Sequence, residues 1–226
     1  LESSDDAIPT GSALVTDGDG VAWQTAGATV GKALLRGALD TRASGASRCE
    51  TLQVASHTVN ALFALLRPPP RILVLGGGLD AGPVVRFAAE LGWRVTLQDH
   101  RPGYLEKADF TLAEQVVCLP PTELADKLDL SQFQATIVMS HHLGSDRDYL
   151  RQLAATPIAY VGLLGPRHRR ERLVSELGEA GKALAGRLHG PAGLDLGGSG
   201  PAAIALSIIA QMHAAIVAAK RPDQEY

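Results

Sequence analysis

Between residues 71 and 163 the apolar positions gather in short unbroken runs, and each run is followed by a segment with helical spacing. The runs at 71–75, 94–98, 115–118, 135–139 and 158–163 predict strands. The segments at 82–91, 121–128, 146–154, 167–177 and 201–219 predict helices. Thr136-Ile137-Val138-Met139 shows no alternation of polar and apolar faces. Such a strand is covered on both sides, as in a parallel sheet layered with helices.

Before residue 70 the pattern changes. Short β-prone pieces at 13–16 and 21–24 flank Asp17-Gly18-Asp19-Gly20, which reads as a hairpin turn. Residues 29–41 read as a helix, and 58–66 as a helix or an extended link closed by the stiff Pro68-Pro69-Pro70. The polar opening LESSDDAIPTGS is expected to be mobile.

The most informative stretch is RILVLGGGLDAGPVVRFAAELGWRVTLQD at 71–99. A strand runs into three glycines, a helix follows, and a second strand ends in a carboxylate. Gly76 allows the tight turn, Gly78 lets backbone approach a diphosphate, and Ala81 keeps the helix close to the strand. Gly77 completes the loop, and the helix N-terminus offers N–H groups to an anion. Asp99 stands 23 positions after Gly76, where an acid would accept from a ribose-like diol, while Arg101 would suit a 2′-phosphate. The same turn also serves packing alone, and Asp80 and Pro83 weigh on that side: one brings negative charge, the other removes an N–H. The predicted fold is therefore α/β: a Rossmann-like parallel sheet with helices on both faces at 71–226, plus a small N-terminal β/α appendage at 1–70.

Composition narrows the function. With 46% hydrophobic and 20% charged residues, the chain can bury a substantial core. Aromatic residues at 4% and a net charge of −3 argue against a nucleic-acid surface or an acidic membrane partner. Cys49 and Cys118 form no paired motif, which reads as a reducing, cytoplasmic compartment. No apolar stretch is expected to approach the roughly 20 residues that span a bilayer.

Parallel sheets bind ligands at their carboxyl edge. The residues after the strands there are Gly76-Gly77-Gly78, Asp99-His100-Arg101, Ser140-His141-His142 and Gly165-Pro166-Arg167. Adjacent histidines on extended backbone point opposite ways, so at most one of His141 and His142 faces the site. Arg167 either clamps a phosphate or joins Arg169, Arg170 and Arg172 on a solvated helix face. Asp195 either fixes a loop or receives a ligand hydrogen bond. His57, His189 and His213 read as ordinary surface or core residues, and Cys118 as packing within a strand. No nucleophile elbow and no zinc spacing is present in the sequence, so no catalytic or metal-ligating residue is assigned.

VMSHHLGSDRDYL (138–150), YVGLLGPRHRRERL (160–173) and GPAGLDLGGSGPAAIALSIIAQM (190–212) together resemble the XdhC/CoxI family. These are accessory factors of xanthine-dehydrogenase-type molybdenum hydroxylases. The resemblance covers about residues 71–219, carried by Ser140, His141, Asp146, Gly162, Gly165, Arg167, Pro191, Gly193, Leu194, Asp195, Gly197, Pro201, Ile204, Ala205 and Ser207. Pro166 replaces the usual serine, and Ala203 and Gln211 stand where the family carries glutamates. Gly27 to Leu35 lacks the glycine run and glutamate of the family's first domain.

The resemblance implies a protein that binds molybdenum cofactor, as molybdopterin or its nucleotide form, and assists its sulfuration and insertion. The implied partners are an apo molybdenum hydroxylase and a sulfur-transferring desulfurase. The implied cofactor site is Gly76, Gly77, Gly78, Ala81, Asp99, Ser140, His141, Gly165, Arg167 and Asp195. Two alternatives stay open on the residues. One is an NAD(P)-dependent oxidoreductase. The other is a ligand-free partner-binding module, with Ile204, Ile208, Ile209, Met212 and Ile216 of the last helix either forming a homodimer face or buried against the sheet.

Overall fold

The computed structural model describes residues 2–3, 10–17, 20–106 and 108–219. The chain divides into two compact units, Leu1–Pro68 and Pro69–Tyr226.

The first unit contains β1 (Glu2–Ser3), β2 (Leu14–Thr16), β3 (Val21–Gln24), α1 (Ala28–Ser44), β4 (Arg48–Val54) and β5 (His57–Phe63). β2 and β3 form the antiparallel hairpin that the turn signal predicts, although Gly18 and Asp19 lie outside the described residues. The segment expected at 58–66 as helix or link is strand β5, paired antiparallel with β4 from Val54↔His57 to Arg48↔Phe63. Its period of two explains the outcome: Val59, Ala61 and Phe63 turn inward against Val30 and Leu34 of α1. Glu2 and Ser3 add a further strand to β5, so this part of the opening segment is ordered by pairing. Leu1 and residues 4–9 of that segment lie outside the described residues.

The second unit runs β6 (Arg71–Leu75), α2 (Ala81–Glu90), β7 (Arg94–Asp99), α3 (Pro102–Leu105), β8 (Gln115–Cys118), α4 (Leu124–Lys127), β9 (Ala135–Val138), α5 (Leu143–Leu153), β10 (Tyr160–Leu163), α6 (Arg167–Leu177), α7 (Glu179–Ala183), β11 (Leu188–His189) and α8 (Pro201–Ala219). The six strands lie in the order β8-β7-β6-β9-β10-β11, and all are parallel. The order reverses between β6 and β9, which is the place where such sheets bind ligands. Leu75 pairs with Gln98 on one side and Val138 on the other. The glycine loop, Asp99 and Ser140 therefore leave the sheet at one level.

β6 explains its own unbroken apolar run. Ile72 and Val74 pack on one face with Val84 and Ala88 of α2 and with Ile208 and Met212 of α8. Leu73 and Leu75 pack on the other with Tyr149 and Leu153 of α5 and Leu173 of α6. Each such side chain contributes about 1.5–3 kcal/mol by leaving water.

Two expectations need correction, and one strand has no counterpart in the sequence reading. Cys118 is exposed at the end of edge strand β8 rather than packed. The two-residue β11 closes the sheet, and its signal is too short for periodicity to reveal. Finally, α8 is 19 residues long and apolar enough to pass for a membrane span by length and composition. In the sequence Ser207, Gln211 and His213 interrupt the apolar run. In the structure Ala205, Ile208, Ile209, Met212 and Ile216 are buried in the core shared with α2 and the sheet.

Candidate functional site

Gly76 ends β6 with φ +122°, and a Cβ there would stand 2.6 Å from the backbone C and O of Met139. Only glycine fits, because the end of β9 passes against this turn. The loop is then tied to β7: the Gly76 N–H donates to Gln98 O at 2.8 Å and the Gly77 N–H to Asp99 Oδ2 at 2.8 Å. The Ala81 N–H donates to Gly78 O at 3.0 Å, with Ala81 itself fully buried as close helix–strand packing requires. Among the described residues the N–H groups of Gly78, Leu79 and Asp80 have no protein acceptor. Three consecutive main-chain donors are thus left at the start of α2.

Asp99 is fully buried and accepts from the Arg101 N–H at 2.9 Å, Arg101 Nε at 2.9 Å and Arg101 Nη2 at 2.8 Å, besides Gly77. Burial by itself would raise its pKa, but the Arg101 hydrogen bonds and the Gly77 N–H outweigh that and hold the carboxyl below the usual range. Where the sequence reading expects a ribose diol, the two Asp99 oxygens accept four hydrogen bonds from the protein itself. The Arg101 guanidinium also lies 3.6 Å over the Tyr104 ring and donates from Nη2 to Ser140 O at 3.1 Å. Since β6 lies between β7 and β9, this arginine bridges the sheet edge from one side of the glycine loop to the other.

A second network fixes the β9 and β10 loops. Ser140 is buried; its Oγ donates to Asp146 Oδ1 and accepts from the His142 N–H at 3.2 Å. Arg169 reaches Asp146 Oδ2 with Nε at 3.1 Å and Nη2 at 2.6 Å. Gly165, at φ +131°, makes room for it, since a Cβ there would meet Arg169 Cδ at 2.8 Å. Arg169 is therefore no solvated residue, and Arg170 donates to Gly190 O at 3.2 Å. Arg167 is 80% exposed and pairs with Glu171 at 2.8 Å, so it lies on the helix surface with Arg172.

The two histidines divide. His142 caps α5, its Nδ1 accepting the Ser145 N–H at 3.2 Å. His141 adopts the left-handed conformation, φ +58°, and is largely exposed. Its ring stands beside Gly78, with Cδ2 3.5 Å from where a Cβ would be, and its Nε2 is 3.6 Å from Asp80 Oδ2. A side chain from the β9 loop thus faces the β6 loop at the switch point.

Asp195 is exposed on a tight turn, where the Leu196 N–H donates to Leu194 O at 2.9 Å. Below it the stem is pinned. Gln211 Oε1 accepts from the Gly193 N–H at 2.8 Å and from Tyr160 OH at 2.7 Å, and the Leu194 N–H donates to Ser207 O at 3.1 Å. Sequence reasoning missed Arg169, Tyr160 and the role of Gln211. Gly165, four positions before Arg169, was the available hint.

With this geometry in place, comparison with known proteins is decisive on one point. The model of the XdhC Rossmann domain matches residues 72–212. The chain belongs to the XdhC family. A protein of Bacillus subtilis (strain 168) named as a probable xanthine dehydrogenase subunit is 31% identical over 156 residues, 69% of this chain and 46% of the relative. The uncharacterized protein YqeB of Escherichia coli (strain K12) is 28% identical over 149 residues, 63% of this chain and 27% of the relative. The chain spans less than half the length of these curated relatives. A crystal structure of a xanthine dehydrogenase from Bacillus halodurans shares the fold, with a TM-score of 0.60 at 23% identity over 88% of this chain and 68% of that one.

Proposed function

We propose that this XdhC-family chain is an accessory protein of a xanthine-dehydrogenase-type enzyme and holds molybdenum cofactor at the β6–β9 crevice. One observation carries the reading: among the described residues the N–H groups of Gly78, Leu79 and Asp80 lack protein acceptors directly beside the exposed His141. Main-chain N–H groups at a helix start, with an imidazole opposite, suit a phosphate or diphosphate. The name of the Bacillus subtilis relative, which calls it part of a xanthine dehydrogenase, supports the choice of enzyme.

The donor set fits this cofactor. Among the described residues no cluster of three or more His, Cys, Asp or Glu side chains could hold a metal ion. A metal carried on its own organic ligand asks the protein only for contacts to phosphate and heterocycle. In this proposal Gly78, Leu79, Asp80 and His141 bind the phosphate, and Arg101, Asp99, Ser140, Asp146 and Arg169 hold the loops in register. When bound, the cofactor supplies the molybdenum centre that the client enzyme uses. No acid–base residue is required of the carrier. Sulfuration by a desulfurase and delivery to the apo-enzyme in the cytoplasm complete the proposed cycle. The NAD alternative lacks its diol acceptor, because Asp99 is spent on Arg101, and the NADP alternative lacks a free guanidinium, because Arg101 is held by Asp99 and Ser140 O.

Titration calorimetry with pyrophosphate, with molybdopterin released from a purified molybdoenzyme, and with NAD tests the reading. Micromolar binding of the first two and none of the third is expected. Failure of both phosphate ligands to bind overturns it.

A further inference from the structure

One surface lies outside the network just described. From His189 to Ala219, Asp195 is the single residue among Asp, Glu, Lys and Arg. Yet only 28% of the most apolar stretch of α8 is buried inside the protein. Leu206 is 53% exposed and Ala214 is exposed on the side opposite the buried stripe, with Ala210 and Val217 half-buried beside them. The turn beside this face exposes Leu194 by 42% and Leu196 by 54%, with Asp195 between them. It is anchored to α8 itself through Gln211 and through Ser207, whose carbonyl accepts the Leu194 N–H and whose hydroxyl donates to Leu194 O. A glycine-rich loop fixed this firmly, with two leucines turned outward, is a preformed contact. Depletion of charge around apolar side chains is the composition of an interface centre, and contiguous apolar surface on a soluble chain marks a docking site.

The available area separates the occupants. A 19-residue helix gives a strip about 28 Å by 10 Å, on the order of 300 Å². A stable dimer needs about 800 Å² per partner, whereas transient encounters run below about 600 Å² per partner. Even with the turn added, the face suits a partner that docks and leaves. An accessory protein must release the enzyme it serves, so the argument rests on the function proposed above. We propose that the 194–196 turn and the outer face of α8 form the docking surface for the xanthine-dehydrogenase-type client, which presents an apolar patch with a basic side chain opposite Asp195.

The test is biolayer interferometry of the full chain against the xanthine-dehydrogenase-type enzyme encoded in the same genome, with Leu196→Glu, Leu206→Glu and Asp195→Lys. All three positions are exposed, and circular dichroism confirms folding. Each substitution is expected to weaken binding at least tenfold, with wild type sedimenting as a monomer. Binding of all variants at wild-type strength overturns the proposal while leaving the client assignment intact. A wild-type dimer dissolved by Leu206→Glu, or wild-type flotation with phosphatidylglycerol vesicles, gives the face to another occupant and overturns it too. No binding of wild type at tens of micromolar counts against the client assignment itself.

Discussion

Arg101 holds the Asp99 carboxylate by two parallel hydrogen bonds, Nε to Oδ1 at 2.9 Å and Nη2 to Oδ2 at 2.8 Å. Removing one partner of a buried pair leaves the other charge uncompensated, which costs about 3–5 kcal/mol. Arg101→Ala is therefore expected to lower the melting temperature by roughly 10 °C, at about 2–4 °C per kcal/mol for a chain of this size. Arg101→Lys should recover only part of the loss, since an ammonium cannot make the paired bonds. Thermal unfolding followed by circular dichroism reads both. A loss no larger than that of a surface arginine would contradict the assignment.

The same pair fixes the acid limb of stability. The Asp99 carboxyl titrates below its ordinary value of 3.8 in the folded chain. A depressed folded pKa means the unfolded chain binds the proton first as pH falls. The contribution is complete above the unfolded value and is lost as pH drops through the folded one. Asp99→Asn should lower stability at neutral pH and flatten the decline as pH falls from neutral through the ordinary carboxylate range. Urea unfolding across that range checks the slope.

Much of this architecture was legible in the residues. The unbroken run Ile72 to Leu75 announced a strand covered on both faces, and Gly76 with Ala81 announced the turn into α2. Other features depended on partners distant in sequence. Asp99 looks the same in sequence whether it faces a ligand or Arg101; only the fold of the 99–101 turn decides. Arg169 reads as one more cation on a polar helix until Gly165 and Asp146 surround it. The 57–63 strand was hidden because its alternation is short and its partner, β4, is itself mostly polar.

The glycines of the loop should respond differently to alanine. At Gly76 the new Cβ would strike the Met139 backbone at 2.6 Å in a left-handed conformation, and backbone cannot move aside cheaply. Gly76→Ala is expected to destabilise the fold by several kcal/mol, on the order of other strained or overpacked core changes. At Gly78 the added methyl meets, among the described residues, the His141 ring at 3.5 Å, an ordinary contact. Gly78→Ala should keep the melting temperature within about 2 °C, the response to roughly 0.5 kcal/mol, yet weaken pyrophosphate binding. Equal effects of the two changes on stability would show that His141 does not stand over an open glycine.

Gln211 offers a test of how the 193–200 loop is held. Its Oε1 accepts from both Tyr160 OH and the Gly193 N–H. A glutamate at this position keeps an oxygen that accepts both bonds, so Gln211→Glu should retain the loop. Gln211→Leu removes the acceptor and leaves two donors unpaired, one of them on a largely buried tyrosine. Leaving such a group unsatisfied costs about 1–3 kcal/mol. The leucine variant should therefore unfold at lower urea, and amide exchange at Gly193 and Leu194 should accelerate while exchange in β6 stays slow. If both variants exchange alike at Gly193, the loop is held by Ser207 alone and the role given to Gln211 is wrong.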